Sequence, residues 1–443
     1  MTGITGRWIL AIVLFFCLHE FTLSQSITWL GGLGDRGSRP NGISADGTVI
    51  TGVSRNSDGD QRAFRWVDGE MQDLGTLGGD SSTASAISAD GLVIVGYSID
   101  AGGNERAFRW VDGTMTDIGT IGGQESLAYG VSADGNVIAG SSTNADNLGR
   151  AFVWINGSMS DPGTLADDYT VALAVSADGS AVVGESFVLP GLPNAFRWTQ
   201  SGMVNLGSEE VSSVARGVSG DGEVVVGRGA GNQGERAFRW TSITGMIDLG
   251  MLPNSPFSEA FAVSLDGQVI VGNSPDEDLI GRAFRWTEDG GMENLNETFA
   301  DLLADGSSLR GATAVSGDGR FIVGFGRKGS DRTTQGYILD TQESTGTHVE
   351  TPAGLPSGYN LAQNYPNPFN PATVIRFEIP EAGSVTIEVF SMLGHRVAIL
   401  TDAHHTAGTQ DVVFDATELP SGLYIYRMRA GAFTATRKLM LIR

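Results

Sequence analysis

Seven aspartates recur at near-equal spacing: Asp46, Asp90, Asp134, Asp178, Asp221, Asp266 and Asp318. Each follows a Ser by two residues and precedes a Gly. Five arginines recur with them, Arg62, Arg106, Arg150, Arg236 and Arg282, each just before Ala-Phe. Asn194 holds that place in the fourth copy. A ring of carboxylates would line a channel with acid–base or cation-binding groups. In a turn the same residue has a local task, because Asp before Gly favours tight reversal of the chain. One active site does not need seven equal aspartates, so the turn is the expected role, with an Arg of the same or next copy as its partner.

Other chemistry is thinly represented. The stretch 27–340 has no histidine: His19 precedes it, and His348, His395, His404 and His405 follow. Imidazole acid–base catalysis, Ser-His-Asp triads and His-bound metals are therefore not expected there. Cys17 is the only cysteine, and it lies in a segment expected to be removed. Asp58, Asp60, Asp276 and Asp278 place hard oxygens close together, but without the order of a calcium loop. Paired carboxylates acting on a glycoside remain open. No catalytic residue, cofactor or metal ligand is assigned.

The aspartates belong to a longer phrase: Ser-x-Asp-Gly, an apolar run ending in Gly, a variable stretch, Arg-Ala-Phe-Arg-Trp, a short turn and Asp-Leu-Gly. Its period of about 44 residues marks a repeat architecture. In the second copy, residues 84–88 read as a strand and Asp90-Gly91 as a two-residue hairpin turn. Residues 92–97 read as a buried strand, 106–110 as a third and 115–119 as a fourth. Four antiparallel strands per copy make a propeller blade. The seventh copy lacks its fourth strand, and residues 27–34 align with that missing segment. The expected fold is all-β: a seven-bladed β-propeller over 27–340, closed by its N-terminal strand, followed by a small Ig-like β-sandwich.

The two ends fix the destination. Arg7, an apolar run over 8–18 and the small polar residues at 22–26 form the pattern of a secretory signal peptide, expected to span 1–26. Residues 341–358 have a linker composition rich in Thr, Ser, Gly and Pro. Residues 359–443 carry short alternating strands punctuated by glycines. The net charge is −23. The segment after the linker is neutral, so the whole imbalance falls on what precedes it. That surface repels nucleic acid and anionic membranes. No transmembrane segment is expected in the mature chain.

Antiparallel order also separates two faces. Turns between strands one and two, and three and four, share one face, and they are short and regular. The other connections share the opposite face and vary in length and composition, so ligand binding is expected there. The apolar loop with Phe187, Val188, Leu189 and Leu192 is a candidate contact patch. Residues 295–309 lengthen one connection, and a short amphipathic helix covering one end of the channel is expected.

The phrase Asp-Leu-Gly-Thr-Leu-Gly-Gly at 73–79, with its Ser-Ala-Asp-Gly and Ala-Phe-Arg-Trp companions, resembles the HAF repeat family of bacterial extracellular proteins. That resemblance implies an extracellular location and no reaction. The C-terminal stretch resembles the sorting domain of the type IX secretion system. The residues that carry this are Tyr365, Pro366, Asn367, Pro368, Phe369, Asn370 and Pro371, then Gly394, Gly422, Tyr424 and Lys438. The resemblance implies the type IX machinery as partner, secretion or display on the outer cell surface, and removal of the domain by cleavage within 341–358. The function expected is non-enzymatic binding or adhesion to an extracellular glycan or protein. A carboxylate-based enzyme on extracellular polysaccharide, or a structural envelope protein, is the alternative.

Overall fold

The computed structural model describes residues 25–34, 37–166, 169–188, 192–207, 211–231, 234–329 and 334–342, and most of 359–441. Residues 1–24 of the expected signal segment and the interior of the linker lie outside the described residues.

Within 26–340 the chain forms seven sheets, each of four antiparallel strands. Six are built from consecutive strands. The seventh joins Ser308–Val315, Phe321–Arg327 and Thr334–Asp340 to Ser26–Gly31. That first strand pairs antiparallel with Thr334–Asp340, with Ile27 opposite Leu339 and Trp29 opposite Tyr337. Leu30 then packs in one apolar cluster with Val323 of the seventh sheet and Ile50 and Phe64 of the first. Neighbouring sheets are also linked by backbone hydrogen bonds at the first turns. Ala45 N–H donates to Ala89 O, Ala89 to Ala133 O and Ala133 to Ala177 O; Asp178 then donates to Gly220 O, Gly220 to Leu265 O, Leu265 to Gly317 O and Gly317 to Ala45 O. The donor steps from Ala177 to Asp178 once, and the circuit returns to its start.

The repeated phrase is explained locally. In every copy the Ser hydroxyl donates to the Asp carboxylate and accepts the N–H five residues ahead; in the second copy these are Ser88 to Asp90 at 2.6 Å and Val93 N–H to Ser88 at 2.9 Å. Ser88 N–H reaches Val93 O, so the connection is a four-residue loop rather than the two-residue turn expected. Gly91 takes φ +72° in it. The second turn does have two residues, with φ positive at both Asp68 and Gly69, as a hairpin of that length requires. The Asp–Arg pairing is corrected: the turn aspartate binds its own Ser, while Arg106 pairs with Asp117 at 2.9 Å and Arg62 with Asp73 at 3.7 Å. Arg62 and Arg106 start third strands, at the end of the sheet opposite the Ser–Asp turn.

The repeated Gly that ends each apolar run has a steric cause. At Gly52, Gly96, Gly140, Gly184, Gly227, Gly272 and Gly324 a Cβ would overlap a carbonyl oxygen of the first strand. The approach is close because each first strand carries a β-bulge opposite this glycine.

The insertion forms a one-turn helix, Leu295–Thr298, and a 3-10 turn, Ala300–Leu303. Leu295, Phe299 and Leu303 are buried with Val271 and Ala283 of the sixth sheet and Leu309 and Tyr337 of the seventh. It fills the seam between those sheets and does not cover the channel, because its apolar residues are all used there.

The C-terminal part is two stacked sheets. One has three strands, Asn360–Leu361, Ala372–Ile379 and Gly408–Asp415. The other has four, in the order Arg396–His405, Gly383–Ser391, Gly422–Ala430, Phe433–Leu441. Phe377, Ile387, Tyr426 and Leu439 are fully buried between them. His404 and His405 end a strand; His405 sits edge-on to Phe377, 5.2 Å away.

Candidate functional site

The bulges aim side chains inward. Opposite the repeated Gly, each first strand has one residue skipped by the pairing: Asn41, Ser85, Tyr129, Leu173, Arg216, Phe261 and Thr313. A bulge re-aims the unpaired residue, and all seven line one cavity of about 590 Å³. The flanking positions are nearly constant: Ala before the bulge, with Pro40 in the first copy, and Gly or Ala followed by Ile or Val after it. The bulged position holds seven different residues. A second varied position follows the repeated Gly of the second strand; its Tyr97, Asn273 and Phe325 also line the cavity.

The cavity is a funnel. First strands run from the varied connections to the Ser–Asp turns, so the bulged residues and Arg39, before them, lie toward the varied face. Beyond them Ile43, Ile87, Val131, Val175, Val218, Val263 and Val315 close in as an apolar neck of about 120 Å³.

Its wall, and the ion pairs behind it, form distinct sectors. Tyr97 and Tyr129 meet edge to face with ring centres 6.4 Å apart. Burial pushes the Tyr129 phenol up to about 12, so it stays a neutral hydroxyl. Arg216 pairs with Glu259 at 2.8 Å, and Arg228 bridges Glu259 at 3.4 Å and Glu235 at 2.6 Å. Burial raises the Glu185 carboxyl above its usual range, with Arg216 and Arg228 pulling the other way. Arg39 lies 4.2 Å above the Phe325 ring and makes no ion pair among the described residues. Two bulged side chains also tie sheets together: Asn41 donates to Ala84 O and Thr313 to Pro40 O, both at 2.8 Å.

Of the apolar loop, Phe187 packs edge-on to Tyr169 of its own sheet, 5.7 Å between centres. Val188 pairs with Leu192 in the hairpin, and Leu192 is exposed. Leu189 lies outside the described residues. The acidic loops are organised internally: Asp276 accepts the N–H groups of Asp278 and Ile280, and Asp60 pairs with Arg62.

The C-terminal motif residues serve the sandwich. Phe369 is buried against Phe414 and its N–H donates to Met440 O; Asn367 accepts the Met440 N–H at 2.7 Å. Pro371 O accepts the Ala416 N–H, and Asn370 is exposed beside it. Tyr424 is buried, with its hydroxyl on Pro420 O at 2.8 Å, and Gly422 opens that strand. Lys438 is exposed, with Nζ 3.1 Å from Asp221. Tyr365, Pro366, Pro368 and Gly394 lie outside the described residues.

The bulge column is what sequence reasoning missed. Its signal was present: aligned on Ser-x-Asp-Gly, the residue three before the Ser differs in every copy while its neighbours do not.

Residues 363–442 match the model of the secretion system C-terminal sorting domain. The chain is thus an exported protein, directed by the type IX system to the cell surface or the medium, with a propeller-like all-β body. No curated protein matches it. Solved structures that resemble it are propellers of low identity. TolB from Acinetobacter baumannii is 16% identical, with TM-score 0.41, over 57% of this chain and 64% of that one. This chain therefore spans just under two thirds of the TolB chain. The β-propeller domain of the trilobed protease from Pyrococcus furiosus is 11% identical, TM-score 0.43, over 58% and 82%. Dipeptidyl peptidase 4 from Porphyromonas gingivalis is 9% identical, TM-score 0.39, over 76% and 57%. At such identities the likeness concerns the fold alone.

Proposed function

We propose that the chain is a non-catalytic binding or adhesion protein of the bacterial surface. Its seven sheets act as the blades of one propeller, closed by the N-terminal strand, and a glycan or protein ligand enters the funnel from the varied face. The observation that carries this reading is the bulge column. Around the bulge, seven copies of one frame hold the neighbouring small and β-branched residues nearly constant, while the bulged residue, which lines one cavity, differs in every copy. A purely structural ring would give no reason for that contrast.

A second reading has a specific observation behind it. Glu185, raised by burial, and Glu259, paired with two arginines, lie close enough to influence each other. Carboxylates in such unlike environments are how glycosidases divide acid and base roles. A glycan and protein array read together with a hydrolysis assay on the full chain separates the two. Retention without product supports binding; released product supports the enzyme. Loss of retention in a Leu173→Arg variant, which blocks the funnel, ties either outcome to this cavity.

The sorting domain is proposed to leave the exported protein by cleavage within 341–358.

A further inference from the structure

Resting on the binding reading above, we propose that the unit held in the funnel is a sugar residue bearing a single carboxylate, gripped by Arg39 and packed against Tyr97 and Tyr129.

Three arginines line or border the cavity, and they are not equivalent. Arg216 and Arg228 are spent on Glu259 and Glu235. Arg39 is exposed, without an ion pair among the described residues, and its guanidinium plane rests on Phe325. A guanidinium held by its face keeps its edges for acceptors, and a carboxylate matches that fork. In the next two sheets the same cavity is lined by Thr83, Ser85 and Tyr97 and then by Tyr129. Hydroxyl side chains both donate and accept, as sugar hydroxyls do. The tyrosines offer apolar ring surface with a polar tip, suited to the body of a pyranose. The cavity volume of about 590 Å³ falls within the usual range for small-ligand sites, roughly 300–1,000 Å³.

The charge of the chain limits how many carboxylates the ligand carries. A net −23 repels an extended polyanion, whereas one charge beside Arg39 feels mainly its near neighbours, since salt screens beyond about 8 Å. The ligand is therefore a neutral glycan ending in one acidic residue, not a polyuronate.

Calorimetric titration of the full chain tests this with three probes: a disaccharide ending in one hexuronate, its methyl ester, and the neutral disaccharide. The acid should bind about tenfold or more tighter than the ester. Arg39→Gln should bring the acid down to the level of the ester, and Arg39→Lys should fall between. Tyr97→Ala should weaken all three. Equal binding of acid and ester, an unchanged affinity in Arg39→Gln, or no binding of the acid overturns the proposal. The binding reading has its own control. If the neutral sugar or a short acidic peptide binds instead, and Tyr97→Ala and Leu173→Arg abolish that, the funnel stands and the acidic sugar falls. If those two variants change nothing, both fall. Unfolding midpoints of each variant confirm that the fold is kept.

Discussion

The Ser132 hydroxyl donates to Asp134 Oδ1 at 2.6 Å and accepts the Val137 N–H at 3.0 Å. One small buried side chain thus satisfies the turn and the start of the next strand together. Ser132→Ala leaves the Val137 N–H without its acceptor. The expected loss is about 1–3 kcal/mol, read from the denaturant midpoint. Arg106→Ala, which breaks a half-exposed pair with Asp117 and a hydrogen bond to Gln124 O, should cost about 1 kcal/mol.

The Asp134 carboxyl gives this turn an acid limit. Burial raises its pKa, but the Ser132 hydroxyl and the Asn136 N–H outweigh burial and hold it below the usual range. A depressed carboxylate stabilises the fold above its unfolded pKa of about 3.9 and loses that contribution as pH falls through its folded value. Stability should therefore be flat from neutral pH to about 5 in this respect and decline below about 4. Asp134→Asn should reduce that decline.

Glu185 has the opposite sign. Its raised pKa means that the protonated form is the one the fold favours. Its contribution is present below the ordinary glutamate value of about 4.3 and is lost as pH rises through the folded value. Glu185→Gln should raise the thermal midpoint at pH 7 and have little effect at pH 4. An equal effect at both would show that the carboxyl is not held by burial.

Leu30 of the N-terminal strand is buried against residues of the first and seventh sheets, so Leu30→Ala opens a cavity between them. The expected cost is about 2–5 kcal/mol. A loss in that range for Leu30→Ala fits this placement; a negligible loss does not.

Mass spectrometry of protein taken from the cell surface and the medium should find the chain ending within 341–358. An intact sorting domain on the released protein contradicts removal.

How much was legible in the sequence follows from what repeats. Ser88, Asp90, Gly96 and Trp110 recur, so the strands, the sheet boundaries and the partner of the N-terminal strand could be read off by alignment. The partner of Asp90 could not, because Ser-x-Asp contact and Asp–Arg contact are equally compatible with the spacing; the four-residue loop decides it. The bulge was also hidden. A bulge is a fact of pairing between two strands, and a single strand shows only Ala-Ser-Ala or Ala-Tyr-Gly. Attention went to the connecting loops, where variation is obvious, and not to Tyr129 or Leu173, where one varied residue stands among constant ones. The helix over Leu295–Thr298 was legible from Phe299, Leu302 and Leu303, but its seat was not, since the seam it fills exists only when the sixth and seventh sheets meet.

Hydrogen exchange of the full chain, with and without a ligand retained on the array, tests the funnel most directly. The account predicts added protection in Ser38–Ile43, Val93–Asp100 and Gly122–Val131, the strands that carry Arg39, Tyr97 and Tyr129. Protection confined to the outer loops, or to the Ser–Asp turns on the opposite face, would contradict it.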